Sequence, residues 1–312
     1  MIETSGLSKR YGPITAVDGI TFKVEPGEVL GFLGPNGAGK STTMKMLAGF
    51  VTPSAGSAKV GGFDVESEPL AAKRVLGYLP EGAPSYGEMT VARFLDFVAD
   101  IRGLAGDLRR QRIGFVVEHL SLAAVMQQTV ETLSKGFRRR VGLAQAILHD
   151  PKVLILDEPT DGLDPNQKHE VRTLINAMAK DRTIVVSTHI LEEVHAVCNR
   201  AIVIANGRIL ADDTPERLEA RSRYHGAVSL TAVDAAAARE ALARIADVAS
   251  VEIDPQDQRI TAFPREGRSV FAAVSQVLRE QNIAVSEVQL ERGRLDEVFR
   301  TITRGKPAEV RP

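Results

Sequence analysis

The sequence predicts an α/β nucleotide-binding domain with a helical insert, followed by a small α+β domain. Three observations carry this. Apolar Val29, Leu30, Phe32 and Leu33 run into Gly34-Pro-Asn-Gly-Ala-Gly-Lys-Ser41, and Thr42–Ala48 continues as a helix. Val153–Leu156 and Ile184–Ser187 are continuous apolar runs, as in strands covered on both faces. After about Tyr224 the order becomes strand, helix, two strands, helix, strand, with a closing helix.

The glycine-rich turn has the spacing Gly-x4-Gly-Lys-Ser of a P-loop. Its glycines let the backbone wrap a phosphate chain with its N–H groups inward, and the helix that follows adds a positive dipole end. Lys40 can reach the β- and γ-phosphates, and the Ser41 hydroxyl can ligate Mg²⁺. The motif implies a nucleoside triphosphate and leaves open what the energy drives.

Composition narrows that. The chain has 312 residues, 44% hydrophobic and 25% charged, enough for one large or two ordinary soluble domains. Lys and Arg total 39 and Asp and Glu 40, so no basic excess points to nucleic acid. The single cysteine, Cys198, excludes an internal disulfide, fits a reducing compartment and reads as a small core residue. No basic-then-apolar leader opens the sequence, and no stretch of about eighteen apolar residues occurs. A membrane role would therefore need another chain.

In order, Ile2–Leu7, Val17–Val24 and Glu28–Leu33 read as strands, with Tyr11-Gly12 in the loop between the first two. Tyr11 could stack on a base or be a half-buried surface aromatic. Ser57–Val60, Phe63–Val65 and Val75–Leu79 are strand-like, the last ending at Pro80-Glu81-Gly82. From Thr90 to about Met126 the spacing turns helical, the core of an insert over about 88–150. Leu133-Ser-Lys-Gly-Phe137 then leads into a helix through His149. Ser134 suits an N-cap there, and Arg138-Arg-Arg140 alone reads as a solvated helix face. Asp157-Glu158-Pro159 ends an apolar strand. Paired carboxylates in that place are costly unless they bind a cation, which favours function. Asp161–Asp164 follows, His189 lies just beyond the strand Ile184–Ser187, and Asn206-Gly207 marks a hairpin. The P-loop, the acidic pair and the histidine all follow strand carboxyl ends, where open α/β sheets bind ligands.

In this order the motifs resemble the ATP-binding-cassette (ABC) ATPases over roughly residues 1–222. Gly34–Ser41 looks like Walker A, and Val153–Glu158 like Walker B with its glutamate. Leu133–Phe137 is similar to the signature usually written Leu-Ser-Gly-Gly-Gln, with Lys135 and Phe137 as departures. Asp161–Asp164 resembles the D-loop, His189 the switch histidine, and Tyr11 the adenine-stacking residue. Glu81 stands where the family's Q-loop has glutamine.

The resemblance implies ATP and Mg²⁺ as ligands. Tyr11 would stack on adenine, and Gly34, Pro35, Asn36, Gly37, Ala38, Gly39, Lys40, Ser41 and Thr42 would hold the nucleotide. Ser41, Glu81 and Asp157 would serve Mg²⁺. Glu158 would activate water and His189 hold the γ-phosphate. Ser134, Lys135 and Gly136 would complete the site of a second cassette, either a second copy or a homologue, and Asp164 would be the D-loop residue. A membrane permease would dock near Glu81–Phe97, placing the chain peripherally on the cytoplasmic membrane face. Leu79-Pro-Glu and Leu295-Asp-Glu-Val-Phe299 are similar to export-type members of the ABC-2 kind, serving drug, polysaccharide, gliding-motility or copper-maturation systems.

Residues 223–304 are expected to form a ferredoxin-like accessory domain and 305–312 a disordered tail. A soluble ABC protein acting on ribosome or DNA is the alternative. Such proteins carry a second cassette or a long coiled-coil insert, and neither is present. A P-loop kinase or GTPase is disfavoured by the signature and by the lack of an Asn-Lys-x-Asp guanine motif.

Overall fold

The computed structural model describes residues 1–265 and 268–303, so the expected tail at 305–312 lies outside the described residues. The chain forms two compact units, one ending at Asp213 and one starting at Thr214.

In the first unit, β1 (Ile2–Tyr11) and β2 (Ile14–Val24) make an antiparallel hairpin. Tyr11 pairs with Ile14, so it ends the strand and Gly12-Pro13 alone make the turn. β3 (Val29–Leu33) and α1 (Lys40–Leu47) flank the glycine-rich loop. β4 (Ala55–Val60) and β5 (Phe63–Asp64) complete a four-stranded sheet of order β2-β1-β4-β5.

A helix absent from the sequence reading, α2 (Pro69–Val75), starts on a proline and delivers β6 (Leu76–Leu79). The insert supplies α3 (Val91–Ile101), capped by Thr90, then α4 (Gly106–His119) and α5 (Lys135–Ile147), capped by Ser134. There follow β7 (Val153–Asp157), α6 (Pro165–Met178), β8 (Thr183–Thr188) and α7 (Leu191–Val197). β9 (Arg200–Ala205) and β10 (Arg208–Asp213) close the unit. Asn206 and Gly207 between them both have positive φ, as a two-residue hairpin turn requires.

The main sheet has the order β10-β9-β3-β8-β7-β6, with all but β10 parallel. One face presents Leu30, Phe32, Val153, Ile155, Val185, Ile202 and Ile204 to a core shared with α1 and with Ile2, Leu7 and Val17 of the smaller sheet. Residues of the other parity, among them Leu33, Leu154, Leu156 and Ile184, are also buried. Burial on both faces explains the unbroken apolar runs. Cys198 lies just beyond α7, buried with its Sγ against Gly31, a core residue as expected.

The second unit runs α8 (Pro215–Glu219), β11 (Val228–Ala232), α9 (Ala235–Ala243), β12 (Val248–Ile253), β13 (Ile260–Pro264), α10 (Phe271–Glu280), β14 (Val285–Leu290) and α11 (Leu295–Thr303). Its antiparallel sheet has the order β12-β13-β11-β14, the ferredoxin-like arrangement. Val228, Leu230, Leu242, Ile260 and Val274 centre its own core. α11 carries Leu295–Phe299 and packs against α8.

His149 sits behind the sheet, where its Nε2–H donates to the Leu76 carbonyl at 3.1 Å. Burial, then the nearby Arg102 charge, pushes its pKa from 6.5 down to about 4. Below 6.5 the unfolded chain takes up a proton that the folded His149 refuses until about 4. Stability should therefore fall through that window as pH drops, and His149→Gln should remove this component. Urea unfolding at about pH 7 and about pH 5 checks it, and an unchanged pH slope would contradict it.

Candidate active site

Four adjacent parallel strands, β3, β8, β7 and β6, end on one rim of the sheet. The glycine-rich loop follows β3, His189 follows β8, Asp157 ends β7, and Glu81 lies just past β6. The pairing thus gathers four turns that are far apart in sequence.

In the loop, Pro35, Asn36 and Gly37 are exposed, while Ala38, Gly39 and Lys40 are buried, and Ser41 and Thr42 are half-buried. Gly39 has φ 106°, and a Cβ there would sit 2.5 Å from the Ala16 carbonyl. Only glycine allows both the conformation and the approach. Ala16 belongs to β2, so the hairpin ending at Tyr11 and Ile14 braces the loop. The Tyr11 ring is 47% exposed, with Lys9 Nζ 5.2 Å from its centre.

Lys40 is only 6% exposed, and its Nζ donates to the carbonyls of Gly34 at 2.7 Å and Pro35 at 3.2 Å. Burial pulls the ammonium pKa below its ordinary value, opposed by Glu158, then Asp157, then Glu81. The lysine therefore lies in the field of the three carboxylates that the motifs single out.

Asp157 is 1% exposed. In the β7–β8 ladder it faces Ser187, whose Oγ donates to Asp157 Oδ1. Asp157 Oδ2 is buried with no partner. An unpaired buried carboxylate oxygen costs about 1–3 kcal/mol or more, which a cation or its water would offset. Among the described residues no three His, Cys, Asp or Glu side chains form a closed metal cage. The orphaned Asp157 Oδ2, with the Ser41 hydroxyl and the Glu81 carboxylate following strands of the same rim, is the oxygen-donor chemistry that a hard cation such as Mg²⁺ takes.

Glu158 has φ 52°, rare for a residue with a side chain. Its N–H donates to the Ser187 carbonyl at 3.0 Å and lies 3.2 Å from Ser187 Oγ. His189 Nδ1 lies 2.8 Å from Glu158 Oε1. A carboxylate only accepts, so Nδ1 carries the proton and Nε2 remains for a ligand.

The signature segment starts α5. Ser134 Oγ accepts from Phe137 N–H at 3.3 Å, making the cap the sequence suggests, and stays exposed. Lys135, one of the departures, pairs with Asp161 at 2.9 Å and holds that carboxyl below its usual range. Asp164 Oδ1 accepts from Gln167 N–H at 2.9 Å, so this carboxylate shapes the start of α6.

The arginine run corrects the sequence reading. Only Arg138 is solvated, while Arg139 and Arg140 are buried. Arg139 Nε donates to the Glu158 carbonyl at 3.0 Å and Nη1 to the Pro80 carbonyl at 3.1 Å. Arg140 Nη1 donates to the Leu120 carbonyl at 3.1 Å, and its guanidinium stacks 4.2 Å from the Phe137 ring centre. Loop carbonyls within reach of long side chains draw these cations inside, and no spacing rule announces that. Glu193, also unmarked in the sequence, is buried and accepts from Thr160 Oγ1 and, at 2.9 Å, from Thr188 Oγ1. It ties the turns after β7 and β8 together.

A family model described as "ABC transporter" matches residues 17–161. The daunorubicin/doxorubicin resistance ATP-binding protein DrrA of Streptomyces peucetius is 34% identical, over 99% of this chain and 94% of its own length. The Nod factor export ATP-binding protein I of Ralstonia nicotianae is 33% identical, over 88% of this chain and 84% of its own. The probable multidrug ABC transporter ATP-binding protein YbhF of Escherichia coli (strain K12) is 38% identical over 71% of this chain, which spans only 38% of YbhF. Among solved structures, an ATP-binding subunit of an ABC transporter aligns at TM-score 0.66 with 31% identity, covering 70% of this chain and 92% of its own. A dimeric bacterial ABC transporter cassette aligns at TM-score 0.65 with 21% identity, a likeness of fold, covering 69% of this chain and 99% of its own.

Gly39→Ala drives a methyl into the Ala16 carbonyl. ATP affinity measured by titration should fall roughly tenfold or more, with circular dichroism unchanged. Unaltered affinity would show that the loop's shape does not depend on Gly39.

Proposed function

This chain belongs to the ABC transporter family, and from that premise we propose that it is an ATP-binding and ATP-hydrolysing subunit that powers a membrane exporter. The observation that carries the reading is the rim itself. Asp157, Glu158 and His189 lie at the ends of adjacent strands and Lys40 just past the loop that follows the next one, with Asp157 Oδ2 unpartnered and His189 already on Glu158. The relatives' names, which speak of multidrug transport, Nod factor export and drug resistance, support the outward direction. Among the described residues no helix is long and apolar enough to cross a membrane, and the reading assigns the membrane path to a permease chain.

The mechanism follows from the positions. Entering triphosphate oxygens displace the Gly34 and Pro35 carbonyls from Lys40 Nζ, and the ammonium neutralises the β- and γ-phosphates. Backbone N–H groups from Asn36 to Ser41 and the start of α1 hold the remaining oxygens. Tyr11 offers its exposed ring to adenine. Ser41, Glu81 and Asp157 would hold Mg²⁺, which would supply charge neutralisation at the phosphates. Glu158 takes the proton of the attacking water, oriented by His189 Nδ1–H, while His189 Nε2 faces the γ-phosphate. The glutamate at position 81 keeps an oxygen ligand in place of the family's glutamine and adds one negative charge beside Lys40.

The partner is a second cassette arranged head to tail, so that Ser134, Lys135 and Gly136 of one copy cover the nucleotide of the other. Asp164 sets the D-loop between them. ATP closes the pair and hydrolysis reopens it. The permease docks around Glu81–Phe97, where exposed Tyr86 packs edge-on against Phe97 at 5.3 Å. The chain then works peripherally on the cytoplasmic membrane face.

Glu158→Gln should retain ATP binding and lose turnover by at least about 100-fold, and wild-type-like turnover would sink the assignment. Lys40→Ala should lose measurable ATP affinity in the same titration, and unchanged binding would refute its role. The pairing is tested in Asn36→Cys/Ser134→Cys. Native Cys198 stays silent, because burial pushes its thiol up to about 12. An ATP-dependent disulfide dimer is expected on non-reducing gels, and its absence with ATP bound would reject the head-to-tail arrangement.

A further inference from the structure

Arg139 is 4% exposed and has no carboxylate within ion-pairing distance among the described residues. Its donors go to backbone carbonyls instead. Nε serves Glu158 at 3.0 Å, Nη1 serves Pro80 at 3.1 Å, and Nη2 serves both Asp157 and Glu158. Burial lowers its pKa, and the charges of Asp161, Asp157, Glu158 and Glu81 oppose that shift. The backbone carbonyls hold the cation inside, and the field of these carboxylates offsets part of its burial cost.

These bonds connect three parts of that site. Arg139 stands on α5, the helix that begins with Lys135 and Gly136. Pro80 precedes Glu81 on the turn after β6. Asp157 and Glu158 end β7. α5 lies close to the Glu81 turn: a Cβ on Gly142 would fall 2.6 Å from Ala83 Cβ and 2.9 Å from Leu79 Cδ1. The left-handed backbone of Glu158 needs support on both sides. Ser187 holds its N–H, and Arg139 holds its carbonyl.

We propose that Arg139 is a positioning residue for hydrolysis: its guanidinium locks the Glu158 and Pro80–Glu81 backbones to the signature helix, so that the Glu158 carboxylate is in line only while α5 is seated. The proposal rests on the reading of Glu158 as the group that activates water. A planar fork of five donors suits several carbonyls at fixed angles, which the single ammonium of lysine matches only in part. None of the four bonds reaches Gly34–Ser41, so the loop that holds the phosphates keeps its own contacts when Arg139 is replaced.

The test uses the full chain, with a fluorescent ATP analogue for binding and single-turnover hydrolysis for chemistry. Arg139→Met should bind within about threefold of wild type while its hydrolysis rate falls about 100-fold, the loss that small misplacements of a catalytic group produce. Arg139→Lys should recover about tenfold of that loss. Amide hydrogen exchange should quicken at residues 158–161 and not at 34–41. A hydrolysis rate within about threefold of wild type overturns the proposal. So does a parallel loss of binding, rate and melting temperature, which marks a purely structural residue. If Arg139→Met does not fold, Arg139→Lys and Arg139→Gln carry the same binding-against-rate comparison. Wild-type protein that does not hydrolyse ATP, or Glu158→Gln that hydrolyses it normally, defeats the functional reading instead.

Discussion

Parallel pairing of β3, β8, β7 and β6 is the constraint on which the rest of the first unit depends. Parallel strands point the same way, so their carboxyl ends line up and the turns that follow become neighbours. Both faces of these strands are buried, which holds the register firmly. A one-residue slip of β7 would send Asp157 to the opposite face. It would lose Ser187, and Leu156 or Glu158 would take its place. The chemistry of the rim is therefore guarded by the packing of Leu154, Ile155 and Leu156 beneath it.

Around that rim two buried cations face a group of carboxylates, and they differ in kind. Lys40 rests on two carbonyls of its own loop, which in the proposed mechanism it exchanges for phosphate oxygens. Arg139 spends four hydrogen bonds on the backbone of two segments, at Pro80 and at Asp157–Glu158. One is a mobile charge and the other a fixed brace, as side-chain chemistry predicts: a flexible ammonium can re-aim, while a planar guanidinium locks geometry. Fixed dipoles and charges set before substrate arrives are what make such a site effective.

Much of this was legible locally. The P-loop shows because its glycines and lysine act within a single turn. The carboxylates Asp157 and Glu158 show because charges at the end of an apolar strand demand a reason. The ferredoxin-like order of the second unit shows because alternation and turn residues mark each element, and its sheet order follows that pattern. Arg139 was hidden because its neighbours in sequence suggest a solvated face, while its partners Pro80 and Glu158 are remote in the chain. Ser187 and Glu193 were hidden likewise. Their roles arise from lying opposite Asp157 and between Thr160 and Thr188 in space.

The amino-acid sequence by itself determined the phosphate loop, the acidic strand end, the capped signature helix and the two-part architecture. Each rests on interactions within a few residues, where spacing is geometry. Only the tertiary structure decided that β8 and β7 separate the P-loop strand from β6, so that Lys40 lies in the field of three carboxylates. It alone decided that Lys135 pairs with Asp161, and that two of three consecutive arginines go inside. Those outcomes depend on sheet order and on which carbonyls a long side chain can reach, and neither quantity is encoded in local spacing.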